Sequence, residues 1–109
     1  MPKRIQEKQV LSYELVQNFV PRGKPYEIFD KEVGGFSVQV YPTGNRTYFV
    51  NYNLSGKRKR LRIGDPNLLE ISKAREIAIR IKQAAKIGRN PKFVRDQAAK
   101  AEVALWADA

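Results

Sequence analysis

Arg58, Arg60 and Arg62 recur at every second position, and Asn51 and Asn53 keep the same spacing a few residues earlier. A guanidinium presents a planar fork of donors, and a carboxamide presents a donor beside an acceptor. These forks match paired acceptors or donor–acceptor pairs such as those on base edges, Arg on guanine and Asn or Gln on adenine. Ser37, Gln39 and Thr47 add polar groups, and Phe49 is the kind of side chain that packs on a thymine methyl. Lys57, Lys59 and Arg46 suit phosphates, contacts that position a protein without reading sequence.

Other chemistry is excluded by composition. The 109 residues include no His and no Cys. That removes the commonest general base, every Ser-His or Cys-His nucleophile arrangement, disulfides and Cys-based zinc sites. No paired-carboxylate or Gly-rich phosphate motif is present, so no catalytic residue, metal ligand or cofactor is expected. No apolar run approaches the roughly 18 residues of a membrane span, and Met1-Pro2-Lys3-Arg4 is not followed by a signal-peptide core. The sequence thus reads as soluble and cytoplasmic, with no membrane partner.

Charge supports a polyanionic partner. The formal net charge is +10, above the magnitude of about 2–8 that solubility alone requires of a small domain. Its distribution is uneven. Residues 1–35 are nearly neutral, residues 36–66 carry a net +5, and residues 67–109 a net +4. The densest positive charge falls within the segment that reads as strands.

Several elements must position these side chains. Ser12 is a suitable cap for a short helix through about Phe19, and Pro21, Gly23 and Pro25 then break the chain. Tyr26 to Phe29 reads as a short edge strand. From Phe36 the apolar period is two: Phe36, Val38 and Val40, then Tyr48, Val50 and Tyr52, then Leu61 and Ile63. Turn signals at Pro42–Asn45, Ser55-Gly56 and Gly64-Asp65-Pro66 separate the runs. Beyond Pro66 the period becomes helical, with Ile71, Ala74, Ile77, Ala78, Ile81, Ala84 and Ala85 on one stripe. The start falls between Leu69 and Ser72, with Glu70 a mediocre cap, and Gly88 is a stop signal. Asn90-Pro91 reads as the cap and first turn of a further, Ala-rich C-terminal helix.

The expected fold is α+β: a three-stranded antiparallel sheet packed on one long helix, with a short N-terminal helix and a C-terminal helix beyond. The helix stripe covers the apolar face of the sheet. Alternation then fixes the opposite face, which carries Ser37, Gln39, Tyr41, Thr47, Phe49, Asn51, Asn53, Arg58, Arg60 and Arg62.

Plainer readings apply to each residue alone. A Lys/Arg run such as Lys57 to Arg60 also serves as a solvated hairpin or as charge that keeps an edge strand from pairing. Asn51 and Asn53 could be solvent-facing. Phe49 fits a solvated face worst, since a large aromatic there lacks a packing reason unless it meets the N-terminal segment. Two other functions stay open: RNA binding, with Phe49 and Tyr41 stacking unpaired bases, and protein interaction through Ile79, Ile87 and the Trp106 tail.

The ordered features resemble the N-terminal, arm-type DNA-binding domain of phage-type tyrosine recombinases, the integrases of prophages and integrative elements. The matching stretches are Leu11 to Phe19, Tyr26-Glu27-Ile28-Phe29-Asp30, Gly35 to Val40, Pro42-Thr43-Gly44 and Thr47-Tyr48. They continue through Tyr52 to Leu61, Ile63-Gly64, Ala74-Arg75-Glu76 and Gly88 to Pro91. The resemblance implies sequence-specific binding of double-stranded DNA, with the sheet in the major groove of arm-type sites. Its outward positions correspond to Ser37, Gln39, Thr47, Phe49, Asn51, Asn53, Arg58, Arg60 and Arg62. Lys57 joins them at the hairpin. Family members often carry basic residues where Phe49, Asn51 and Asn53 stand, which implies fewer phosphate contacts here and a preference for A·T-rich sites.

Three segments follow: residues 1–10 as a flexible start, 11–90 as the arm-type domain, and 91–109 as a helical linker. The resemblance places strand exchange in a separate domain, so this chain is expected to be a non-catalytic part of a longer recombinase that meets other protomers on DNA.

Overall fold

A computed structural model describes residues 8–97. In chain order the elements are β1 (Lys8–Gln9), α1 (Tyr13–Asn18), β2 (Tyr26–Asp30), β3 (Phe36–Val40), β4 (Arg46–Leu54), β5 (Lys57–Gly64) and α2 (Ile71–Lys86). A further helical stretch, α3, occupies residues 91–97. The strands form one sheet in the order β1-β2-β3-β4-β5.

The α+β class and the β3–β4–β5 meander are as expected, but the antiparallel part of the sheet has four strands rather than three. β2 is a full partner of β3, pairing Tyr26 with Val40, Glu27 with Gln39, Ile28 with Val38 and Phe29 with Ser37. Its alternation is masked in the sequence because Ile28 and Phe29 are adjacent and apolar, one facing each side of the sheet. β1 adds two residues in parallel, Lys8 opposite Phe29 and Gln9 opposite Asp30. Parallel pairing this short leaves no periodic signature in a polar segment. The first seven residues of the expected flexible start lie outside the described residues.

Local chemistry explains the boundaries. The Ser12 hydroxyl accepts from the Leu15 amide at 3.2 Å and caps α1. Ser55 and Gly56, both at positive φ (52° and 78°), join β4 to β5 by the kind of two-residue turn that matches strand twist. α2 begins after Glu70, whose side chain makes no capping bond. A bulge lies beside Tyr48: Tyr48 pairs with Gly64 and Phe49 with Arg62, so Ile63 is the extra residue.

The core lies between one face of the sheet and the helices α1 and α2. Phe36, Val38, Val40, Tyr48, Val50 and Ile63 from the strands are buried against Ala74, Ile77, Ala78 and Ile81 of α2, with Leu11 and Val16 from the α1 region. Tyr52 and Leu61, expected on the same face, are partly buried at its rim. Burying a Val, Leu or Ile side chain fully is worth about 1.5–3 kcal/mol, so this face holds α2 in place. The α3 segment folds back beside β5, where Arg95 donates to the Arg62 carbonyl at 3.1 Å. The Ala-rich continuation with Val103, Leu105 and Trp106 lies outside the described residues.

One ion pair crosses this layer. Asp30 at the end of β2 is 3% exposed and accepts from the Leu11 and Val33 amides, each at 3.0 Å. Arg75 of α2 donates to both of its carboxylate oxygens and, at 2.6 Å, to the Leu11 carbonyl. Burial by itself would raise the Asp30 carboxyl; the Arg75 bonds and the two amides outweigh it and hold the group below its usual value.

Candidate nucleic-acid interface

The sheet face opposite α2 is ordered by strand register. Ser37 stands beside Phe49, and Phe49 beside Arg62. Gln39 pairs with Thr47, Asn51 with Arg60 and Asn53 with Arg58. The polar set expected from alternation is therefore gathered on one surface, continued on β2 by Glu27 and Phe29.

Exposure divides the set. Asn53, Lys57, Arg58, Arg60 and Arg62 are exposed, whereas Gln39, Thr47, Phe49 and Asn51 are half-buried. Ser37 is fully buried, and its hydroxyl donates to Glu27 Oε2 at 2.6 Å. It supports the face from beneath. The Asn51 amide donates to the Gly35 carbonyl at 3.3 Å, which leaves its carbonyl oxygen and second N–H for other partners. Gly35 sits at φ +86°, and a Cβ there would overlap the Asn51 carbonyl, so glycine is required at this close approach.

The centre of the face is an interlocked cluster. The Arg60 guanidinium lies 3.7 Å from the centroid of the Phe49 ring. Its Nη2 donates to Glu27 Oε2 at 3.0 Å and to Gln39 Oε1. Phe49 thus has the packing partner the sequence does not reveal: it is the platform for a cation. Glu27 is the functional-face residue that sequence reasoning missed. The register of β2 against β3 puts Glu27 on the side opposite Ile28, a placement the sequence hides because Ile28 and Phe29 are adjacent and apolar.

Arg46, suited by sequence to a phosphate, is used elsewhere. Its guanidinium donates to the Gly44 carbonyl at 3.0 Å, to Gln17 at 3.2 Å and to Phe19, closing the C-terminal end of α1 against the β3–β4 turn. Lys57 and Lys59 remain exposed at the β4–β5 hairpin.

Beyond Val50 the sheet narrows. β3 begins at Phe36 opposite Val50, with Gly35 beside Asn51, while β4 and β5 continue to the pair Leu54–Lys57. A two-stranded ribbon carrying Asn53, Arg58 and Arg60 therefore projects from the body. Major-groove dimensions admit such a ribbon.

Among the described residues, no three His, Cys, Asp or Glu side chains group to hold a metal ion, and no helix is long and apolar enough to cross a membrane. Tyr48 is on the opposite face, its hydroxyl buried without a hydrogen-bond partner and pushed up to about 12 by that burial. It stays protonated.

A search of curated proteins finds no match to this sequence. A family model described as an arm DNA-binding domain matches residues 4–98, nearly the whole chain. The sheet with its cationic outer face, the helix behind it and this match together show that the chain belongs to the arm DNA-binding domain family, the non-catalytic DNA-binding unit of phage integrases.

Proposed function

We propose that the outer face of β3–β5 enters the major groove of duplex DNA at arm-type sites and reads sequence there, positioning a tyrosine recombinase for DNA integration. The observation that carries this reading is the alignment of Arg58, Arg60 and Arg62 with Asn53, Asn51 and Phe49 on the projecting β4–β5 ribbon and its base. Arg and Asn in that alternation offer the donor forks that guanine and adenine edges accept. Lys57 and Lys59, exposed near the ribbon tip, would meet backbone phosphates flanking the groove. Residues 11–90 would form the DNA-reading unit and residues 91–109 a helical linker toward core-binding and catalytic regions, through which other protomers are met.

RNA binding is less well supported by the geometry. A base-stacking sheet needs open aromatic faces, and the Arg60 guanidinium lies over the Phe49 ring.

Titration of the domain with an arm-site duplex, followed by amide NMR, tests the reading. Shifts should concentrate at residues 37–62, on the outward positions. Shifts confined to α1 and α2 would overturn it, and preference for single-stranded RNA of equal length would move the assignment to RNA.

A further inference from the structure

Because β3 stops short of the β4–β5 ribbon, a cleft of about 400 Å³ opens between the ribbon and the C-terminal half of α2. Asn53 and Arg58 line it from the ribbon, Gly34 and Gly35 from the β2–β3 connection, and Lys82 and Lys86 from α2. Its three charged lining residues, Arg58, Lys82 and Lys86, are all cations. Lys82 Nζ donates to the Gly34 carbonyl at 2.6 Å, which orients the ammonium and leaves two of its three protons for a ligand. Lys86 follows one turn later on the same side of the helix and is exposed. Arg58 belongs to both surfaces, as an outward ribbon residue and as a wall of the cleft.

We infer that this cleft seats a phosphate of the DNA backbone, so that α2 grips the strand flanking the groove the ribbon enters. The inference rests on the proposed function and extends its footprint to helix residues that periodicity assigns to solvent. Three cations lining one cleft without a carboxylate suit a phosphodiester. A contact of this kind adds affinity for every duplex and selects none.

The test compares wild type, Lys86→Gln, the double variant Lys82→Gln/Lys86→Gln, and Arg62→Ala, each binding an arm-site duplex and a random duplex over a series of salt concentrations. Loss of one neutralised phosphate lowers the slope of log K against log salt by about 0.9. The double variant should show that loss, with affinity for both duplexes reduced by the same factor of roughly 3–10 at low salt. Lys86→Gln should show part of it. Since Lys86 is exposed, that variant separates the cleft from any effect of losing the Lys82–Gly34 bond. Ethylation interference should mark one backbone phosphate for wild type that the double variant no longer needs. An unchanged slope and affinity in both lysine variants, with Arg62→Ala still weakening arm-site binding, would overturn the cleft and leave the sheet reading intact. The converse, weakening by the lysine variants and none by Arg62→Ala, would keep a phosphate contact at the cleft but remove the sheet reading and overturn the cleft's placement beside a groove the ribbon enters.

Discussion

Arg75 of α2 places Nε and Nη2 each 3.0 Å from a different carboxylate oxygen of Asp30, so the long helix is tied to β2 by a two-pronged ion pair. The pair sits where α2, β2 and the segment leading into α1 meet, since Arg75 also holds the Leu11 carbonyl. Its guanidinium is extended further by Glu32, 3.4 Å away. The face proposed to read DNA is on the other side of the sheet. Stability and recognition can therefore be tested separately.

Replacing Arg75 by Met should destabilise the domain by about 3 kcal/mol, because it leaves the Asp30 carboxylate buried without its cation. Urea unfolding measures this directly. At temperatures where both proteins are folded, DNA affinity should be nearly unchanged, since Arg75 does not reach the outer face.

Acid sensitivity follows from the same pair. The folded Asp30 carboxyl titrates below its usual 3.8 despite burial, through the Arg75 bonds and the Leu11 and Val33 amides. A depressed carboxylate contributes stability that is fully present above the unfolded value and is lost as pH falls through the folded one. Urea midpoints should fall as pH drops below about 4, and Asp30→Asn, less stable at neutral pH, should show a flatter acid limb. An equally steep limb in that variant would assign the acid response to other carboxylates.

Tyr48 supports the opposite kind of prediction. Its buried hydroxyl has no partner, so Tyr48→Phe removes an uncompensated polar group while keeping the ring that packs 5.3 Å from Phe36. The change should be neutral or stabilising by up to about 1 kcal/mol. Burial raises this hydroxyl to about 12, so its contribution is present below the unfolded value near 10 and is lost as pH rises toward 12. Thermal melts between pH 9 and 12 should show a shallower alkaline decline for the variant.

On the reading face, Arg60→Ala should weaken arm-site binding by about 1–3 kcal/mol and relax selectivity at one base position. Glu27→Gln should do something different. It removes a carboxylate that holds Arg60 and that would repel phosphates brought to the proposed face, so random-duplex affinity should rise, by roughly fivefold for about 1 kcal/mol of relieved repulsion. Arm-site affinity should rise less, narrowing the specificity ratio. Anisotropy titrations on both duplexes measure the pair of effects.

The legible parts of the fold are those written in short-range periodicity. Phe36 to Val40, Tyr48 to Tyr52 and Leu61 to Ile63 alternate cleanly, and the stripe from Ile71 to Ala85 turns at helical spacing, so the elements and their buried sides could be read directly. β2 was legible as a strand but not as a two-faced one, because adjacent Ile28 and Phe29 hide its alternation. That cost the assignment of Glu27 to the outer face. β1 carries no pattern at all.

What the sequence by itself determined was the choice of face: alternation is a property of the extended backbone, so Arg58, Arg60 and Arg62 had to lie opposite the helix once Leu61 and Ile63 pointed toward it. What only the tertiary structure decided was the occupation of each cation. Arg46 is bound to a carbonyl 27 residues away, and Arg75 to a carboxylate 45 residues away. Arg60 is drawn over Phe49 toward a glutamate 33 residues distant. Lys82 and Lys86 come beside Arg58 only because β3 starts no earlier than Phe36, leaving the ribbon unpaired on that side, and α2 crosses behind it. These partnerships depend on which strands and helices become neighbours, and on their register. Local spacing carries no record of either, so formal charge counts cations that packing has already committed.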